Sequence, residues 1–164
     1  MVQGSFVTIK DITVKDCWGD CICIGKSSSQ NIDIDHITID NCKLDNSRRQ
    51  GISVTHGSNI IIRSCNISNI SGHKPQAAID IEPNDGNYAK NITIENCTVK
   101  DCIVGIVVYS NSNYEKEAIT ISNCAINCTV RAIALNGINT PVTVSNNRIE
   151  TLYNAISCNT VDGK

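Results

Sequence analysis

Residues 92–108 read ITIENCTVKDCIVGIVV, and the order of short pieces in this stretch decides the fold. It divides into ITIENC (92–97), CTVKDC (97–102) and GIVV (105–108), three runs with apolar and polar residues in near alternation. Period-two alternation places successive side chains on opposite faces of a strand, and β-branched residues favour that conformation. None of the runs has a helical period.

The same pieces return along the whole chain. ITIDNC (37–42), IIIRSC (60–65), ITISNC (119–124) and VTVSNN (142–147) superpose on the first run, and a degenerate VTIKDI (7–12) opens the chain. Their last positions, Ile12, Cys42, Cys65, Cys97, Cys124 and Asn147, are 30, 23, 32, 27 and 23 residues apart. About ten residues after each copy comes CICI (21–24), GISV (51–54), AIDI (78–81), GIVV (105–108), AIAL (132–135) or AISC (155–158). Three short strands in a period of about 22 residues or more predict an all-β parallel β-helix, a single solenoid of about six coils over residues 1–164.

Composition supports this. The 164 residues include 27 Ile and 20 Asn but three Leu, one Met, one Phe and one Trp, so the core is β-branched and a helical bundle is excluded. Charged residues make up 18% and the net charge is −2, which leaves no basic footprint for nucleic acid and no polybasic membrane patch. No apolar run approaches the roughly eighteen residues of a membrane helix. The start, MVQGSFVTIKD, has neither the charge nor the apolar stretch of a signal peptide.

Alternation sets two inward ladders: Ile22, Ile52, Ile79, Ile106, Ile133 and Ile156, then Ile24, Val54, Ile81, Val108, Leu135 and Cys158. Cys42, Cys65, Cys97 and Cys124 form a third, about 4.8 Å apart, read as reduced core thiols because stacked parallel side chains seldom meet disulfide torsions. Asp11, Asn41, Ser64, Asn96, Asn123 and Asn146 precede that ladder, in a turn that needs left-handed backbone. Five Asn-X-Ser/Thr sequons occur, at Asn66, Asn69, Asn91, Asn96 and Asn127, and several fall in segments expected to be buried, which argues against a glycosylated secretory protein and for folding in a reducing cytosol.

With the Asn turn after ITI, the Cys and Ile stacks and the GIxV strand closing each coil, residues 6–160 resemble the pectate-lyase-like right-handed parallel β-helices. That superfamily includes pectin and pectate lyases, polygalacturonases, alginate epimerases and phage tailspike depolymerases. RRQGISVTHGSNIIIRSC followed by AAIDIEPND looks most like the repeat proteins of phage tails and bacterial surface glycan enzymes. The resemblance implies that the substrate cleft lies on the outer face of the GIxV strands.

Read outward by alternation, that face carries Cys21 and Cys23, then Gly51, Ser53 and Thr55, then Ala78, Asp80 and Glu82. Gly105, Val107 and Tyr109 follow, then Ala132, Ala134 and Asn136. Asp80 and Glu82 are its only carboxylates. Two apart on a strand, their Cα atoms lie about 6.6 Å apart, which brackets both glycosidase spacings. The functional expectation is an acid and a base or nucleophile at a glycosidic bond; the structural one is an exposed acidic pair, or a calcium site with Asp85. Small neighbours such as Gly51, Ala78 and Gly105 are expected to leave room for a sugar chain.

Long loops flank the strand. SGHKPQA (71–77) brings His73 and Lys74, and EPNDGNYAKN (82–91) brings Tyr88 and Lys90. Arg48, Arg49, Ser53, Thr55, His56, Tyr109 and Asn136 complete the expected substrate-binding set, the arginines suiting uronate groups. The polygalacturonase Asn-Thr-Asp, Asp-Asp and Arg-Ile-Lys motifs are absent, as is the alginate epimerase pattern, so neither activity carries over. Cys17, Cys21 and Cys23 lack the knuckle spacing of a zinc site.

The expected function is binding and cleavage of a surface or capsular polysaccharide by a glycoside hydrolase-like domain of phage tailspike or bacterial type. The rivals are a polysaccharide lyase using Arg49 and Lys74, and a non-catalytic glycan-binding or structural solenoid. A virion-associated or bacterial extracellular role, and a homotrimer or further coils of a longer chain, complete the expectation. An antifreeze-like repeat is disfavoured because the GIxV face lacks a Thr array.

Overall fold

A computed structural model describes residues 1–27, 30–83, 86–109, 118–138 and 140–159. The first coil is β1 (Val7–Lys10), β2 (Thr13–Cys17) and β3 (Asp20–Ile24); the second is β4 (Asp35–Asp40), β5 (Lys43–Ser47) and β6 (Gln50–Val54). The third is β7 (Gly57–Arg63), β8 (Asn66–Ser68) and β9 (Ala77–Ile81). Then come β10 (Ala89–Glu95) with β11 (Thr98–Tyr109), β12 (Ile119–Ser122) with β13 (Ala125–Asn136), and finally β14 (Val142–Ser145), β15 (Arg148–Thr151) and β16 (Asn154–Asn159). All pairings are parallel and each runs to the next coil, which makes the chain a parallel β-helix.

In the fourth and fifth coils the second and third strands are fused. β11 and β13 are 12 residues long and join both ladders, with register shifts between Val99 and Val104 where the strand turns the corner. No loop is inserted at that corner, whereas residues 71–76 bulge out at the same place in the third coil.

The inward ladders are in register. Ile22, Ile52, Ile79, Ile106, Ile133 and Ile156 pair coil to coil, as do Ile24, Val54, Ile81, Val108, Leu135 and Cys158. Ile52, Ile79, Ile106 and Ile133 are fully buried, while Ile156 on the last coil is 50% exposed. Each fully buried isoleucine contributes about 1.5–3 kcal/mol relative to exposure, and those of the six-stranded sheet, such as Ile37, Ile39, Ile60 and Ile62, are buried as completely. The thiols of Cys42, Cys65, Cys97 and Cys124 are buried and unbridged, each lying against the carbonyl oxygen two residues earlier at 3.2–3.3 Å.

The turn before that cysteine ladder is left-handed in every coil, with φ between 49° and 57° at Asp11, Asn41, Ser64, Asn96, Asn123 and Asn146. Two further left-handed ladders run along the solenoid. One runs through Asp16, Asn46, Asn69 and Asp101; the other through Phe6, His36, Asn59 and Asn91. Side chains bond along them: Asn41 donates to Asp11 at 2.8 Å, Asn46 to Asp16 at 2.7 Å and Asn91 to Asn59 at 3.1 Å. The asparagine richness therefore serves turns and the bonds between them.

The sequon asparagines are not buried. Asn66, Asn69, Asn91, Asn96 and Asn127 are all exposed, because they occupy turns and outward strand positions between buried neighbours. A threonine column is also present, on the six-stranded sheet rather than the GIxV face. Thr8, Thr38, Ile61, Thr93, Thr120 and Thr143 are in register, beside an alternating-charge ladder of Lys10, Asp40, Arg63 and Glu95. Arg63 bonds Asp40 at 2.9 Å, and such cross-strand pairs favour the register.

Candidate functional site

Asp80 sits on β9 between Ile79 and Ile81, both fully buried, so alternation turns its side chain outward. It shares a column with Ser53 on β6 and Val107 on β11. Yet it is only 2% exposed, and Gln50, at the start of β6, donates its amide N–H to Asp80 Oδ2. Burial above all, then the Glu82 carboxylate and more weakly Asp20, push the Asp80 carboxyl up to about 7, against the pull of the Arg49 guanidinium.

Asp20 organises the neighbouring coil. Its carboxylate accepts from Arg49 at 3.0 Å and from Ser53 Oγ at 2.8 Å. Glu82 is exposed, just beyond β9, with its backbone N–H donated to Val54 at 3.0 Å. It borders a groove of about 530 Å³ whose other walls are Lys74, Pro75 and Gln76 from the bulging loop, Ile103 and Val104 of β11, and Val130 and Arg131 of β13.

The expected set divides. Glu82 and Lys74 line one groove; Tyr109 and Asn136, in register on the next coils, extend along the same edge beyond Glu82. Ser53 and Arg49 are engaged with Asp20, so they hold the face together, and Thr55 lies against the Ile24 carbonyl at 3.4 Å. Arg48 stacks over Trp18, 4.3 Å from the ring centroid, and its carbonyl accepts from the exposed His73 N–H at 2.7 Å. His56 is 1% exposed, packed 4.2 Å from the Tyr88 ring, and burial draws its pKa down.

The small residues expected to open the face do something else. A Cβ on Gly51 would point at Ile67, and one on Gly105 at Ile126, both core side chains, while Ala78 is itself in the core. The strand corner reverses the alternation there, so the position ahead of each GIxV glycine faces outward instead. That column is Asp20, Gln50, Ala77, Val104, Arg131 and Asn154, and it supplies Gln50, Asp20 and Arg131, which strict alternation from the glycine overlooks. Cys21, at the corner of the first coil, likewise packs against the core rather than facing outward, and burial and the adjacent Cys17 push its thiol up to about 12.

Asp85, the third member of the suggested calcium site, lies outside the described residues. Among the described residues, no three His, Cys, Asp or Glu side chains converge to hold a metal ion. The family model for the right-handed β-helix region matches residues 1–162. The chain belongs to the right-handed β-helix family. A comparison with curated proteins finds no match. Membership of this β-helix family fixes the architecture, and any particular chemistry has to come from the face just described.

Proposed function

We propose that this β-helix domain binds an extended polysaccharide in the groove bordered by Glu82, Lys74 and Arg131. The groove carries the reading. Its apolar lining of Ile103, Val104 and Val130 suits the C–H faces of sugar rings, and the charged Lys74, Glu82 and Arg131 beside it suit hydroxyl or uronate groups. A surface or capsular polysaccharide, met by a virion-associated or bacterial extracellular protein, is the ligand class this reading takes from the resemblance in the repeats.

One observation favours cleavage as a second reading. Burial pushes the Asp80 carboxyl up to about 7, and the exposed Glu82 follows two residues later, so two carboxyl groups in unlike surroundings stand close in sequence, as acid–base attack on a glycosidic bond uses. In that reading Glu82 meets the sugar, and Asp80 gains access once the Gln50 side chain against it moves aside.

The test is retention of the protein in gels containing single bacterial or plant polysaccharides, with mass analysis of any products. Wild type, Glu82→Gln, Arg131→Ala and Asp80→Asn run side by side. Retention weakened several-fold in Arg131→Ala and Glu82→Gln supports the groove; no retention of wild type on any polysaccharide overturns it. Saturated oligosaccharides that vanish in Glu82→Gln and Asp80→Asn establish hydrolysis. Products lighter by one water point to a lyase and to Lys74 and Arg49.

A further inference from the structure

Two side chains on adjacent coils each keep one buried oxygen without a hydrogen-bond partner: Asp80 Oδ1 and Gln50 Oε1. The same two residues already touch through Gln50 Nε2 and Asp80 Oδ2, and they are 2% and 0% exposed. Native structures rarely leave buried polar atoms unpaired, because each forfeits its bonds to water. Here two such atoms belong to groups that are already joined, and both are acceptors, so they can bond one another only with a proton between them.

We infer that Asp80 is kept as the neutral acid and forms a two-bond clasp with Gln50: the amide N–H donates to Asp80 Oδ2, and the O–H on Asp80 Oδ1 donates to Gln50 Oε1. A primary amide and a carboxylic acid are complementary in this way, each offering one donor and one acceptor side by side. The clasp ties the second coil to the third on the outer face and satisfies both orphan oxygens together.

The surrounding charges agree. From β3, Asp20 and Cys23 face this column; from the turn ahead of β6 comes Arg49, and beyond β9 comes Glu82, while β11 offers the uncharged Val107. Arg49 is the only cation of this group and is engaged with Asp20. An ionised Asp80 would therefore stand between two carboxylates with its counter-ion committed elsewhere. Burial first, then the Glu82 carboxylate and more weakly Asp20, push its carboxyl up to about 7, and the pull of Arg49 does not offset them.

The clasp is thus proton-dependent. Because the folded-state pKa is raised, its contribution is complete below the ordinary carboxylate pKa and is lost as the pH rises to about 7, beyond which no further loss follows. The clasp forms within the face itself and needs no bound glycan.

Asparagine at position 80 can make the same two bonds to Gln50 with no proton to lose. The experiment compares thermal midpoints of wild type and Asp80→Asn from pH 4.5 to pH 8.5. The expected result is a small difference at the acid end that grows in favour of the variant as the pH rises, levelling off once Asp80 has titrated. A difference that stays constant with pH overturns the inference. Carbon-13 titration of wild type labelled at the aspartate carboxyls gives a readout that needs no variant to fold. One aspartate titrating at about 7 supports the clasp, and none titrating above the ordinary carboxylate range overturns it.

Discussion

The missing side chain of Gly51 would point at Ala78: a Cβ there would stand 2.5 Å from the Ala78 carbonyl oxygen and 2.6 Å from the Ile67 methyl. Gly105 meets Ala132 and Ile126 in the same way two coils on. Both glycines mark the corner where one strand of the coil hands over to the next, and neither has φ in the left-handed region, so space alone requires them. The obstacle is backbone of the neighbouring coil, which cannot swing aside. Gly51→Ala is therefore expected to cost about 1–3 kcal/mol in urea unfolding, the range for overpacked sites. Gly19→Ala, where nothing lies within 4 Å, is the control and should stay within about 0.5 kcal/mol of wild type.

That corner also explains what could and could not be read in the sequence. Alternation in GISV, AIDI and GIVV places Ile52, Ile79 and Ile106 in one buried stack because period two holds inside a strand. It fails one residue earlier, where the chain bends, and so it sends Gly51 outward and misses Gln50. Asp80 is outward as alternation requires, yet buried, because its exposure depends on Gln50 and Ser53 of the previous coil, and single-strand periodicity carries no such information. His56 follows a readable strand, but its burial under Tyr88 depends on a loop 32 residues away.

The left-handed turn ladder gives a graded prediction. Asn96 has φ 54° and Ser64 φ 55°, so both sit where a Cβ is costly and where asparagine is the best-tolerated ordinary residue. Asn96→Ala should lower stability by about 1 kcal/mol, and Asn96→Gly should recover most of that loss. Ser64→Asn, which restores the residue found in the coils on either side, should raise the thermal midpoint. An Asn96→Gly variant no more stable than Asn96→Ala would mean that the amide's own contacts, rather than the backbone angle, set the preference.

Thiol reactivity separates the cysteines by position. Cys42, Cys65, Cys97, Cys102, Cys124 and Cys128 are buried, while Cys158 is exposed on the last coil. Only thiolate reacts, and burial opposes both access and ionisation, as at Cys102, whose thiol is pushed up to about 12. A thiol reagent added to native protein should modify Cys158 at once and leave these six until the coils open. Peptide mapping at successive times checks the order. Prompt labelling of Cys97, in the middle of the stack, would show that the core is not closed.

Acid sensitivity should centre on Asp35. Its carboxylate accepts from Ser58 Oγ at 2.8 Å and Asn59 Nδ2 at 2.7 Å, and lies 2.6 Å from His36 Nδ1. Those bonds, Ser58 first and then Asn59, hold its carboxyl down at about 2. A depressed folded-state pKa stabilises the protein above the ordinary carboxylate range, and that contribution disappears as the pH falls toward about 2. The thermal midpoint should therefore drop steeply on acidification from pH 4. In Ser58→Ala, which removes the strongest donor without touching the left-handed Asn59, the drop should be shallower and the midpoint at pH 5 lower. This acid limb lies below the window assigned to Asp80, so the two are separable in one pH series. Asp35→Asn removes the first and leaves the second. An acid limb with the same slope in Asp35→Asn as in wild type would place the proton uptake elsewhere, with Asp45, held down by Ser68 and Asn69, the next group to replace.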